Sequence, residues 1–404
     1  DINLNLQRIK SMHLPISRIF VPWEAWNPSC DYQTFTWESD EMLSLYNILD
    51  VYQRMKTKVI LVTVDWMKES PWRNPEGSSQ AVVRLLEYLI KDRGFSCIEF
   101  WTLTNEPELT YEWLKKLPFE YYIQIHRLVK QKLKERELPV KIIVADEVES
   151  WEWFERSVHS LCDVADVFSS HAYFFPRERD LISDYFDKRL NLIKKVCGNR
   201  EDILFILGEF GFRGIDFGVR TNSFMEDYEY GLYVADLCIK ALNSGVDSAS
   251  LWCLHQIRLI DEIYQEGDKM MRIGLWAYKD RNWHPFPIFY LYRLFSRYIK
   301  SGSIVTAVKI LPSNILNSAC VKYNNSYSLF ILNMTKRERY FQIEGINSDV
   351  YFRKYIYSKR DHVIGQKDWT EPEEPIKFKK YLFKKYLKDR IPPMSVILYS
   401  SLAE

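Results

Sequence analysis

From the start of the chain to about residue 300, short apolar runs rich in Val, Ile and Phe alternate with longer segments of helical period. That rhythm belongs to repeated βα units around a parallel sheet. It predicts seven strands, at Ser17–Trp23, Lys58–Trp66, Cys97–Asn105, Lys141–Glu147, Asp166–Tyr173, Ile203–Phe210 and Ser248–Leu254. Helical stretches fill the intervals. In "DEMLSLYNILDVYQRMK" the apolar residues Leu45, Ile48, Leu49, Tyr52 and Met55 fall on one face, and "QAVVRLLEYLIKDRG" is stopped by Gly94. The chain opens on a helix-like segment, Leu4–His13, rather than on a strand.

Past "FYLYRLFSRYIKSG", read as a last amphipathic helix ending at Gly302, the pattern changes to short alternating strands broken by Asn, Ser, Pro and Lys. Runs of that length, about ten residues apart, predict an antiparallel β-sandwich of roughly one hundred residues. The fold class expected is therefore α/β: a (β/α)8 TIM barrel over residues 1–301, followed by an all-β sandwich over 302–404. Seven strands leave the barrel one short. Its first strand is either missing from this sequence or supplied by a segment upstream of Asp1, because a gap would expose two unpaired edges. Within the sandwich, "IKFKKYLFKKYLKDR" is basic and alternating and reads as a solvated edge strand or hairpin.

Composition narrows the partners. With 55 Lys+Arg against 54 Asp+Glu, the net charge of +1 creates no global field for nucleic acid or an anionic membrane, and neither is expected as a partner. No apolar run reaches the roughly 18 residues of a membrane span, and "DINLNLQRIK" lacks the apolar core of a signal peptide, so the compartment stays open between secreted and cytoplasmic. The seven cysteines include no C-x-x-C pair, which disfavours a zinc site, and several lie in apolar runs where they act as small buried hydrophobes. Sequons at Asn324 and Asn333 are short enough to arise by chance.

In a parallel barrel, reactive groups gather at the C-terminal ends of the strands. Read in chain order, those ends carry Trp23 and Glu24, Asp65 and Trp66, Asn105 and Glu106, Asp146 and Glu147, His171 and Tyr173, Glu209, and lastly Trp252 and His255. Asp146 and Glu147 fit either helix caps or a sugar subsite. Glycosidic bond cleavage requires two carboxylates on facing walls, one delivering a proton and the other ionised. Glu106 and Glu209 suit this, since each follows an apolar strand and the two strands lie on opposite sides of an eight-stranded ring. At a separation of about 5 to 5.5 Å the second carboxylate acts as nucleophile and configuration is retained. Trp23, Trp66, Trp151 and Trp252 are candidate platforms on which pyranose rings stack.

"NEP" at Asn105–Pro107 and "GEFG" at Gly208–Gly211 resemble the motifs of the clan A glycoside hydrolases, retaining enzymes on a (β/α)8 barrel. "SRIFVPWEAW" resembles that clan's second strand, "SSHAY" its sixth and "LWCL" its eighth; with the sandwich tail, the likeness spans nearly the whole chain and is greatest to the family 39 type and its cellulase-like relatives. The resemblance implies that Glu106 is the acid/base, Glu209 the nucleophile and Asn105 the residue that binds the sugar 2-hydroxyl. It further implies that Arg18 supports the nucleophile, that His171 and Tyr173 lie near it, and that Trp252 floors the subsite of the cleaved sugar. The expected partner is a carbohydrate substrate, with no metal and no organic cofactor. The alternative from another class is a carbohydrate-binding protein on the same barrel that has lost turnover. A metal-dependent hydrolase would need several His and carboxylate ligands, and only one His sits clearly at the rim.

Overall fold

The computed structural model describes residues 2–65, 70–109, 117–198, 200, 202–218, 220–258, 270–312, 315–344, 352–359 and 387–402. Seven parallel strands form one curled sheet in chain order: β1 (Ile16–Pro22), β2 (Lys58–Val64), β3 (Ile98–Thr102), β4 (Lys141–Val148), β5 (Val167–Phe174), β6 (Leu204–Phe212) and β7 (Ser248–Leu251). Around them run α1 (Ile2–Met12), α2 (Asp40–Met55), α3 (Pro75–Glu87), α4 (Phe119–Glu135), α5 (Trp151–Leu161), α6 (Ile182–Cys197), α7 (Tyr228–Ser244) and α8 (Pro287–Tyr298). Among the described residues no strand pairs with the outer edge of β1 or of β7. The two edges nevertheless approach, for the rings of Phe20 on β1 and Trp252 just past β7 have centroids 5.5 Å apart.

Local chemistry accounts for the helix ends. Ser39 caps α2 by accepting from the Met42 amide, and Lys56 closes it in the left-handed conformation. Its buried face is Met42, Leu45, Tyr46, Leu49 and Tyr52. Ile48, expected on that face, is instead exposed. After α3 the chain winds through a π turn, Tyr88–Asp92, and leaves at Gly94 with φ +78°, where a side chain would be strained. Helix α1 is clasped to the last barrel helix and to the segment before it: Ser296 Oγ donates to the Met12 carbonyl at 2.8 Å and Arg8 donates to the Trp283 carbonyl at 2.6 Å.

Strand alternation divides the core in two. Ile60, Val62, Val64, Phe100, Ile143, Val167 and Ile206 point inward and fill the barrel floor. Their neighbours, among them Leu61, Trp101, Val144, Phe168 and Leu207, join the larger core between sheet and helices.

Beyond a small hairpin, β8 (Ile257–Arg258) with β9 (Met270–Met271), come two antiparallel sheets. One has the order β10 (Ile304–Thr306), β12 (Asn317–Tyr323), β13 (Ser326–Asn333), β17 (Ser395–Ser400), β15 (Arg353–Tyr357). The other is β11 (Lys309–Leu311), β14 (Arg339–Glu344), β16 (Leu387–Ile391). Leu329, Ile331, Phe341, Ile343 and Ile397 fill the space between them, as in a sandwich. Phe330 and Leu332, on the other face of β13, turn to the barrel, where Phe330 stacks on Phe295 of α8 at 4.2 Å. Strand β16 is an edge strand, as the basic segment predicts for Leu387–Arg390; the remainder of that segment lies outside the described residues. No helix among the described residues is long and apolar enough to cross a membrane.

Two cysteines outside the apolar runs read as buried hydrophobes are paired. Cys162 after α5 and Cys197 at the end of α6 form a disulfide, with Cα atoms 5.6 Å apart.

Candidate active site

Above the apolar floor the inward positions turn polar. On β1, Ile16 and Phe20 face the floor, so period two places Arg18 between them on the same side. On β5, Val167 faces in, and Ser169, His171 and Tyr173 follow it inward at every second residue. These four side chains stand where simple alternation puts them.

Asp146 and Glu209 do not. Ile143 and Ile206 point inward, so strict alternation would send Asp146 and Glu209 to the outer face. Each strand is interrupted: the β4–β5 register shifts between Ala145 and Glu147, and β6 shifts against β5 and β7 around Gly208. A bulge reverses facing for all residues after it. Ala145 (φ +74°) and Asp146 (φ +49°) adopt the left-handed conformation there, and the Ala145 amide donates to the Tyr122 hydroxyl at 2.8 Å instead of to a ladder carbonyl. Gly208 has a different constraint. A Cβ at this position would lie 2.6 Å from Ser169 Oγ, 2.7 Å from Asp146 Oδ1 and 2.9 Å from His171 Nε2. The first glycine of "GEFG" is thus required by close approach.

Glu106 arrives from a loop. β3 ends at Thr102; Thr63 Oγ1 on β2 donates to the Leu103 carbonyl at 2.6 Å and steadies the chain leading to Asn105. Glu106 itself has φ +45°, and its amide donates to the Asp146 carbonyl at 3.2 Å.

The cluster closes on Arg18. Its Nη1 donates to Glu209 Oε1 at 2.7 Å; its Nη2 donates to Asp146 Oδ2 at 2.6 Å and to Asn105 Oδ1 at 2.9 Å. Tyr173 donates its hydroxyl to Glu209 Oε2 at 2.6 Å, so both nucleophile-candidate oxygens accept a hydrogen bond. His171 Nδ1 lies 2.8 Å from Glu106 Oε1, and its Nε2 lies 3.3 Å from Asp146 Oδ1. Burial works against the charges on Arg18 and His171, yet the surrounding carboxylates outweigh it and raise both pKa values. Burial also raises the Glu209 carboxyl above its ordinary range, against the opposing pull of His171 and Arg18. The Tyr173 phenol, buried beside Glu209, is held well above its ordinary value and stays a donor.

Glu106, His171 and Glu209 offer ligand atoms that all lie within 4.8 Å of one another, the one such group among the described residues. A cation there would share Glu209 with the Arg18 guanidinium at 2.7 Å, which disfavours it.

The remaining sequence candidates separate. Trp252 is half-buried beside Phe20, at the rim. Trp23 is a correction: it lies in a turn after β1, fully buried against Trp26 (4.3 Å) and Trp72 (5.0 Å), and has no face to offer a sugar. Trp151 opens α5 half-buried, with Lys188 Nζ 3.7 Å over its ring, so one face is already covered. Trp66 lies outside the described residues. Asp146 caps no helix; Ser150 caps α5, and Glu147 accepts from the Ser150 amide at 2.7 Å. His255 bonds the Gln256 carbonyl and packs on Trp276 instead of joining the cluster. Alternation alone missed the inward role of Asp146, and the signal that could have found it was Gly208, where a Cβ would lie 2.7 Å from Asp146 Oδ1.

No family model matches the sequence, and no curated protein does. Solved structures match along nearly the whole chain. A family 51 α-L-arabinofuranosidase from Bifidobacterium longum aligns with a TM-score of 0.67 at 13% identity, over 99% of this chain and 90% of its own. A GH30 endoxylanase from Clostridium papyrosolvens C71 gives 0.66 at 10%, over 99% and 93%. A family 39 glycoside hydrolase from the gut symbiont Bacteroides cellulosilyticus WH2 gives 0.63 at 11%, over 98% and 77%. At such identities the likeness is one of fold, and the fold is that of the clan A glycoside hydrolases.

Proposed function

We propose that this protein is a retaining glycoside hydrolase acting on a β-glycosidic bond of an oligo- or polysaccharide, with Glu209 as nucleophile and Glu106 as acid/base. Residues 1–301 form its catalytic part and 302–404 an accompanying sandwich. The observation that carries the reading is the separation of the two carboxylates. Each of Glu106 and Glu209 places an oxygen within 4.8 Å of the other's, which fits the closely set carboxylates of a retaining pair better than the wider gap in which an inverting enzyme seats its water.

Each residue then has a step. Ionised Glu209, held by Arg18 and Tyr173, attacks the anomeric carbon while the bond from that carbon to the leaving oxygen breaks and Glu106 delivers its proton to the departing group. Water next attacks the glycosyl ester, Glu106 takes its proton, and Glu209 leaves as carboxylate. The Glu106 side chain is 19% exposed and Glu209 7%, consistent with an acid reached by solvent and a nucleophile reached only by substrate. Asn105, oriented by Arg18, serves the sugar 2-hydroxyl, and Trp252 with Phe20 supplies the platform.

Hydrolysis of a panel of aryl β-glycosides tests this. Glu209→Ala should lose activity by about 10⁴-fold or more, whereas Glu106→Ala should keep turnover only on good leaving groups and yield the β-azide when azide is added. Because burial raises the Glu209 pKa, activity should fall as pH drops through a midpoint above 4.5. A wild type that cleaves nothing yet binds oligosaccharides would sink the enzymatic reading in favour of a binding protein.

A further inference from the structure

Asp146 touches both halves of the candidate machinery. Its Oδ2 accepts from Arg18 Nη2 at 2.6 Å, and the same guanidinium fixes Glu209 and Asn105. Its Oδ1 accepts from Ser169 Oγ at 2.7 Å and faces His171 Nε2 at 3.3 Å, while His171 Nδ1 lies against Glu106. Its main-chain carbonyl accepts the Glu106 amide. The side chain is 2% exposed, and the bulge at Ala145 and Asp146 is what turns it inward.

An ionised carboxylate can only accept. Facing His171 Nε2, it requires the proton on that nitrogen and thereby assigns Nδ1 to Glu106, as a buried aspartate fixes the tautomer of a catalytic histidine. The groups facing the ring are Glu106 from the loop after β3, Asp146 from β4, Glu209 from β6 with Oε2 at 3.9 Å from Nδ1, Arg18 from β1 behind Asp146, and Tyr173 on the same strand.

We propose that Asp146 is a positioning residue that holds Arg18 against Glu209 and keeps the proton on His171 Nε2, so that Nδ1 exchanges its proton with Glu106. The proposal rests on the retaining-hydrolase reading and adds Asp146 to its polar groups. The charge of Asp146 adds to that of Glu209 in keeping the ring protonated at neutral pH, against the burial that opposes it.

The test is a pH titration of ¹⁵N-labelled histidine side chains by NMR in the wild type and in Asp146→Asn, with His171 assigned through His171→Gln. In the wild type, Nε2 carries its proton throughout and the midpoint of Nδ1 lies above 6.5. Asp146→Asn should lower that midpoint by about one unit, a tenfold loss of proton affinity, and move the alkaline limb of kcat/KM down in parallel while KM changes little. A titration unchanged in Asp146→Asn, or a fall in kcat with the pH profile unmoved, would overturn the proposal. If Asp146→Asn does not fold, Ser169→Ala keeps the charge and frees Oδ1 for His171: the midpoint should rise, and a midpoint that stays or falls overturns the proposal equally. The two readings fail separately. A shifted titration in a protein that cleaves no glycoside leaves the Asp146 role standing without the hydrolase, whereas cleavage with an unshifted titration does the reverse.

Discussion

Two polar clusters lie back to back across β4 and β5. On the inner face Asp146, Ser169 and His171 meet Arg18, Glu106 and Glu209; on the outer face the adjacent residues Glu147 and Ser170 meet Arg189 of α6. Burial does not tell them apart, for the Arg18 and Arg189 side chains are each 5% exposed. Balance does. Outside, Glu147 Oε1 accepts from Ser170 and Arg189 and Oε2 from the Ser150 amide, so one carboxylate is closed by one cation and its neighbours. Inside, three carboxylates share Arg18 and His171, and Glu106 stays open to solvent. A buried ion pair is therefore no marker of a site; an excess of carboxylate facing an opening is.

The sharpest way to break the comparison is Gly208→Ala. The added Cβ meets three atoms of the inner cluster below 3.0 Å. Misplacing Asp146 and His171 by about 1 Å should cost about 10²-fold in kcat/KM, with about 1–3 kcal/mol of stability lost to overpacking. Steady-state kinetics and urea unfolding on the same sample check both. Activity within twofold of wild type would mean that the inner geometry is not what catalysis depends on.

Arg189→Met tests the opposite face. It leaves Glu147 buried without its cation and should cost about 3–5 kcal/mol of stability, with kcat/KM per folded molecule unchanged. Adding Glu147→Gln should restore part of that loss, since a neutral pair needs no counter-ion. A kinetic defect without a stability defect would put the outer cluster in the catalytic machinery.

A third test concerns Glu108, whose Oε1 accepts from the Val148 amide at 2.6 Å and whose Oε2 is buried without a partner. Burial, reinforced by Glu147 and Glu106, pushes this carboxyl from 4.5 to about 9. The folded protein then holds a proton that the unfolded chain releases, so this group's contribution is full below pH 4.5 and is lost as pH rises toward 9. Glu108→Gln should flatten the decline of stability across that window, measured by urea unfolding at a series of pH values. An unchanged slope would place the proton elsewhere.

Much of this was legible in the chain. The βα rhythm located all seven strands, because burial against helices demands apolar runs, and the change to short alternating runs located the sheets that follow. "NEP" and "GEFG" named the two carboxylates that the structure brings within reach. The tryptophans were less legible: aromatic rings serve cores and sugars alike, and only packing distinguishes buried Trp23 from Trp252 at the rim.

What the sequence by itself determined is which residues share a strand and, where the strand is regular, which face they take. Period two accounts for the inward facing of Arg18, Ser169, His171 and Tyr173, although Arg18 was singled out by the family resemblance and Ser169 was not singled out at all. Only the tertiary structure decided that Asp146 and Glu209 face inward beside them. A bulge is one residue too many against a neighbouring strand, a relation between two segments far apart in the chain, and neither segment records the mismatch except where close approach leaves room only for glycine, as at Gly208.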